Sequence, residues 1–258
     1  MEPKFYRFTI VHHGFALVLR LNDVIIDADP KGIFRNRKFV NNQFILDGKN
    51  TLALEIGLAG EPPALPKDLT LQCMVHELSE ADLQNDSAPQ PLLLLEFPGK
   101  EIPSFPAKIE GDFTVKSPFG KWQWEDAETL DVTPELTADV KDLVSRLHHA
   151  LSDKALATVA GVVEIKTREM AKAFYIDPAQ RLADQKVFFN DIFKDGRFAM
   201  EPLNTNDLEM VPMAHNRLFL AQHQGGAAAL ESTELSEGYN FSLPVMAAKI
   251  SGQWRVVR

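Results

Sequence analysis

The hydrophobic pattern of this chain changes period once, near residue 130, and that change limits the folds open to it. Before that point apolar residues alternate with polar ones in short runs, as in Leu52, Leu54 and Ile56 against Thr51, Ala53 and Glu55. A period of two marks half-buried strands. After it, Leu136, Val140, Leu143, Val144, Leu147 and Leu151 recur at helical spacing, which marks an amphipathic helix. Thr133-Pro134-Glu135 supplies the start signals: a capping hydroxyl, proline at the first helical position and an acid in the first turn. The expected organisation is two domains, 1–130 all-β and 131–258 α+β.

In the first half, strands are expected at 4–11, 15–21, 24–26, 69–78, 91–97 and 105–115. Asn22-Asp23 joins two of these runs as a hairpin. The clearest hairpin signal runs from Gln43 to Leu46, turns at Asp47-Gly48-Lys49-Asn50, and returns from Thr51 to Ile56. His12-His13-Gly14 reads as a turn, and the polar stretch 79–91 as an exposed loop. Many short strands separated by turn residues suggest a β-sandwich. In the second half, helices are expected at about 133–152, 153–175 and 177–195. The middle one turns Leu156, Val159, Val163, Met170 and Phe174 inward. Strands follow near 198–203, 216–223, 226–233, 239–250 and 253–258, with Ser251-Gly252 as a tight turn. Helices first and strands afterwards is an α+β order.

The ending Tyr239-Asn-Phe-Ser-Leu-Pro-Val-Met-Ala-Ala-Lys-Ile-Ser-Gly-Gln-Trp-Arg-Val-Val-Arg258, behind three helices, resembles the nuclear transport factor two-like (cystatin-like) superfamily. That resemblance implies a cone: three helices packed on a curved antiparallel sheet, with Trp254 between them. It implies little about activity, because such a fold hosts isomerases, dehydratases, ligand carriers and interaction modules. In the first half, Asp47-Gly-Lys-Asn-Thr-Leu-Ala-Leu-Glu-Ile56 resembles the Gly-x-Asn-x-Leu strand of galactose-binding-like β-sandwiches.

Charge narrows the partners. The 258 residues carry 27 basic and 36 acidic side chains, a net charge of -9. The first 130 residues hold 13 basic and 19 acidic groups (net -6), leaving 14 and 17 (net -3). Both halves are acidic, which argues against nucleic acid, where phosphate neutralisation needs clustered Lys and Arg. An acidic surface instead draws in a basic protein. No apolar run approaches the ~18 residues of a membrane span, and residues 1–10 lack the apolar segment of a signal peptide, so a cytoplasmic protein of bacterial type is expected. The single cysteine, Cys73, lies in an apolar stretch and reads as a buried structural thiol.

Enzymes on the cone-shaped fold place an Asp–His or Tyr–Asp pair inside the cone for proton abstraction. The cavity candidates are Tyr175, His215 and His223, with Asp177 and Glu234 as possible carboxylates. No spacing forces any pair together, so no catalytic residue is assigned. Adjacent His148 and His149 point ~100° apart on a helix, wrong for chelation, and no phosphate loop or triad signature occurs. No metal or cofactor is expected. Trp122 and Trp124, two apart, are either core at the domain junction or anchors for a partner. Arg35, Asn36, Arg37 and Lys38 form the one dense basic cluster, read as a solvated loop or as a patch for an acidic partner. The leading functional expectation is a non-enzymatic protein-binding protein, of the kind of an immunity protein capping a basic toxin. The alternatives are a small-molecule carrier or isomerase-like enzyme using the cone cavity, and a scaffold or adaptor.

Overall fold

A computed structural model describes residues 2–32, 34–58, 70–97 and 105–258. The described chain is mixed, with antiparallel sheets and five α-helices. Its contacts divide it into two compact units, Met1–Lys121 and Trp122–Arg258.

The first unit holds two four-stranded sheets. Strands β1 (Phe5–His13), β4 (Arg35–Val40), β6 (Thr70–Leu78) and β7 (Leu93–Glu96) form one, in the order β4-β1-β6-β7. Strands β2 (Phe15–Leu21), β3 (Val24–Asp29), β5 (Gly48–Leu58) and β8 (Ala107–Val115) form the other, ordered β3-β2-β5-β8. The chain passes from one sheet to the other at Gly14, whose φ of 84° suits glycine. Along β2, Phe15, Leu17, Leu19 and Leu21 are buried and alternate with more exposed residues. They face the same way as Leu52, Leu54 and Ile56 of β5, with which β2 is in register. The β2–β3 hairpin turns on Asn22 and Asp23, both left-handed at φ 52° and 65°, as a two-residue hairpin loop requires.

Four expectations for this unit need correction. Residues 43–46 are not a strand: Asn42–Phe44 is a 3-10 turn. The Asn50 side chain takes the strand partner's place, accepting from Leu46 N (2.8 Å) and donating to Leu46 O (3.0 Å). Such local amide bonds compete with a ladder, and β5 pairs with β2 and β8 instead. The basic cluster is strand, not loop, because β4 pairs with β1 in register. His12-His13 end β1 and are not a turn. The 79–91 stretch contains a short helix, α1 (Glu80–Gln84), held by a reciprocal capping box between Ser79 and Asp82. Hydrogen bonds from Ser87 and Ser79 hold the Asp82 carboxyl down at about 2. Leu69, the first residue of one expected strand, lies outside the described residues.

The second unit begins with a 3-10 turn, Gln123–Asp126. Helix α2 (Pro134–Ser152) follows, with Thr133 Oγ1 accepting from Leu136 N at 3.1 Å. All six predicted inward residues of α2 are buried. The expected second helix is two: α3 (Leu156–Val162) and α4 (Glu164–Ala173), broken at Val163. The break rotates the buried face, so Thr167, Glu169, Ala171 and Ala173 go inside while Met170 and Phe174 are half-buried. Helix α5 (Pro178–Lys194) starts at Asp177, whose carboxylate accepts from Gln180 N.

Strands β9 (Leu208–Met213), β10 (Leu218–His223), β13 (Val245–Ile250) and β14 (Gln253–Val256) form a sheet ordered β14-β13-β10-β9. A two-stranded sheet pairs β11 (Leu230–Glu234) with β12 (Asn240–Leu243). The expected 239–250 strand is divided at Pro244, which has no N–H to give a ladder. The 198–203 segment contributes only the bridge Met200–Ser232. One apolar core joins α2, α3 and α5 to these strands through Leu147, Val159, Phe189, Phe219, Leu230 and Phe241. Trp254 packs edge-on against Phe219 and donates to Asp139 Oδ2 of α2 at 3.0 Å. No helix among the described residues is long and apolar enough to cross a membrane.

Candidate functional site

Of the expected cavity residues, His215 and His223 lie at opposite ends of one strand. His215 is exposed in the β9–β10 turn, where Ala214, His215 and Asn216 are all left-handed (φ 50°, 54° and 63°). His223 ends β10 at the other end of that strand. The strand between them, Leu218–His223, spans about 17 Å at ~3.3 Å per residue. Tyr175 follows α4, exposed and left-handed at φ 58°.

The tryptophans are interior. Trp122 is fully buried and Trp124 nearly so, so neither presents an exposed anchor. The Trp122 ring has the Lys172 ammonium at 4.6 Å and the Arg258 guanidinium at 5.2 Å from its centre. Arg258 in turn pairs with Glu169, and both are buried. Glu169 Oε1 also accepts from Gln123 N at 2.5 Å. Nearby Lys166 donates to Pro244 O at 3.3 Å. Burial, with Arg258 adding repulsion, pushes its ammonium down to about 8. A sequence signal for this cluster exists: Glu169 and Thr167 share a helix with the small residues Ala171 and Ala173 on its buried side.

The basic cluster is neutralised. Arg35 Nε lies 3.1 Å from Asp29, Arg37 pairs with Asp27, and Lys38 Nζ lies 2.6 Å from Asp86. An acidic partner would have to displace three carboxylates, so a free patch at Arg35 and Arg37 is not what the strand presents. Asp29 is buried and also lies 3.5 Å from the buried His12. Burial lowers the His12 pKa, against the opposing pull of Asp29.

Two surface features of the second unit remain. The first is an acidic ridge: Asp126, Glu128, Asp131, Glu135, Asp139 and Asp142 are all exposed, with Lys141 the one cation between positions 126 and 142 and Arg146 paired with Asp142 at 2.9 Å. Glu135, Asp139 and Asp142 follow i, i+4, i+7 spacing and so share one stripe of α2. Glu128 and Asp139 both bond the β13–β14 hairpin, through Gly252 N and Trp254 Nε1. The second is a groove over the α3–α4 junction, made of two adjoining depressions of 480 and 350 Å³ that share Gly161 and Glu164. Sequence reading missed the groove, because it depends on a helix break that the apolar spacing hid. Among the described residues, no three His, Cys, Asp or Glu side chains are arranged to hold a metal ion.

No family model, curated protein or solved structure matches the chain.

Proposed function

We propose that the chain is a non-enzymatic protein-binding protein whose acidic ridge engages a basic protein partner, in the cytoplasm and in the manner of an immunity protein capping a toxin. The observation that carries the reading is the α2 stripe of Glu135, Asp139 and Asp142 with its exposed acidic neighbours. On a chain of net charge -9, such a ridge raises the capture rate of a cationic partner and disfavours acidic ones. Toxic nucleases are commonly cationic because they neutralise phosphates, which makes them suitable targets. The separation of His215 and His223 at opposite ends of β10 favours surface recognition over chemistry shared by that pair. We read the first unit as a β-sandwich and the second as the helix-covered curved sheet of nuclear transport factor two-like proteins. Two four-stranded sheets and the shared helix–sheet core support that reading.

The test compares wild-type chain with Glu135→Lys/Asp142→Lys as bait in bacterial lysate, at low and high salt. The expected result is a basic protein retained by wild type, released by salt, and lost in the variant. His215→Ala and His223→Ala should retain it. If the charge-reversed bait captures the same basic proteins, the ridge is not the recognition surface.

A further inference from the structure

The groove over the α3–α4 junction has the opposite electrostatic character to the ridge. Its walls carry Arg168, Lys186 and Arg255 against one carboxylate, Glu164. That carboxylate is already engaged by Arg168 Nε at 2.7 Å. Three cations against one acid leave the lining at +2, on a protein whose total is -9. Lys186 is exposed, and no residue is paired with it among those described. The floor is low, apolar beside Ala157, Ala160 and Leu182 and more polar beside Gln123, Ser251 and Gln253. Ala157, Ala160 and Gly161 supply little side chain, and Ile165 and Leu182 supply apolar walls. A Cβ built on Gly161 would meet nothing within 4 Å, so the space above the junction is open where the two depressions join. Both volumes lie at the lower end of the ~300–1,000 Å³ of small-ligand sites, so charge and not size decides the occupant.

We propose that this groove binds an acidic peptide segment of a partner protein. An apolar side chain of the segment sits in the smaller depression against Ala157, Ala160 and Leu182, and its carboxylates face Arg168, Lys186 and Arg255. Charge complementarity decides the occupant: a cationic segment would meet uncompensated Lys186 and Arg255 at the rim. The groove borders the acidic ridge, since Ser251 and Gln253 of its lining flank Gly252, whose N–H donates to Glu128, and the charge-reversed ridge variant tells the two surfaces apart.

The probe is a fluorescein-labelled twelve-residue peptide of alternating Glu and Leu, with a Lys/Leu peptide as its counterpart. Anisotropy is read on the full chain at low salt. The acidic peptide should bind at least about tenfold tighter than the basic one, with affinity falling as salt rises. Gly161→Trp fills the junction and should weaken binding at least about tenfold. Lys186→Glu, on an exposed helix position where folding is safe, should weaken it by several fold and Lys186→Arg should not. Gly161→Ala keeps the groove open and should bind as wild type. Equal binding by Gly161→Trp and Lys186→Glu overturns the proposal. So does a preference for the basic peptide, and loss of that binding in Glu135→Lys/Asp142→Lys would assign it to the ridge.

Discussion

Replacing Arg258 by methionine tests what holds the second unit together around its buried charges. Arg258 and Glu169 are each 4 % exposed. One Glu169 oxygen pairs with the guanidinium and the other takes the Gln123 N–H. Methionine keeps much of the stem volume over Trp122 but strands the Glu169 carboxylate. An uncompensated buried charge left by removing one partner costs about 3–5 kcal/mol. At about 2–4 °C per kcal/mol for a protein of this size, the melting midpoint of the second unit should fall by about 10 °C. Circular dichroism at 222 nm, which follows helices α2 to α5, reads that fall. The double variant Glu169→Leu/Arg258→Met removes both charges. It retains one defect, the Gln123 N–H without an acceptor, worth about 1–3 kcal/mol. It should therefore be more stable than Arg258→Met alone. If the single variant loses less than about 1 kcal/mol, or the double is the less stable of the two, the pair is not the electrostatic keystone argued here.

Three further outcomes are expected. The folded His12 pKa is depressed by burial below its ordinary 6.5, so the unfolded chain binds the proton more tightly. Its contribution to stability is present above about pH 6.5 and is lost as pH falls through the folded value. The amide-exchange protection factors in β1 and β4, corrected for the intrinsic pH dependence, should fall below that pH, and less so in His12→Asn. Ser251→Asn should stabilise the β13–β14 hairpin by about 0.5–1 kcal/mol, because the Ser251 φ of 50° suits asparagine in a two-residue turn; urea titration reads the gain. Gly161→Ala should stabilise α3 by up to about 1 kcal/mol, since alanine is the better helix former and nothing obstructs its methyl.

Local signals carried part of this architecture and failed where distant groups decide. Helix α2 was legible to its buried residues because cap, proline and apolar spacing agree. So was the Ser251-Gly252 turn, which has both residues left-handed. Cys73 is buried as expected, its thiol pushed up to about 12 chiefly by that burial. The strand of Arg35–Val40 was illegible because its stability rests on Asp27, Asp29 and Asp86, which sequence spacing does not bring near it. The break at Val163 was hidden because valine fits a helical pattern, and with it went the burial of Glu169 and the groove. The false hairpin at 43–56 came from treating Asp47-Gly48 as a turn between strands. Asn50 instead completes the backbone of Leu46 with its own amide.

The two compact units also differ in what they can report. All three tryptophans, Trp122, Trp124 and Trp254, lie in Trp122–Arg258, and the single thiol lies on β6 of Met1–Lys121. Intrinsic emission therefore follows one unit alone, while disulfide exchange at Cys73 records each opening of the other. One unmodified sample carries two independent clocks, and whether they run together under denaturant measures how cooperatively the halves of this protein unfold.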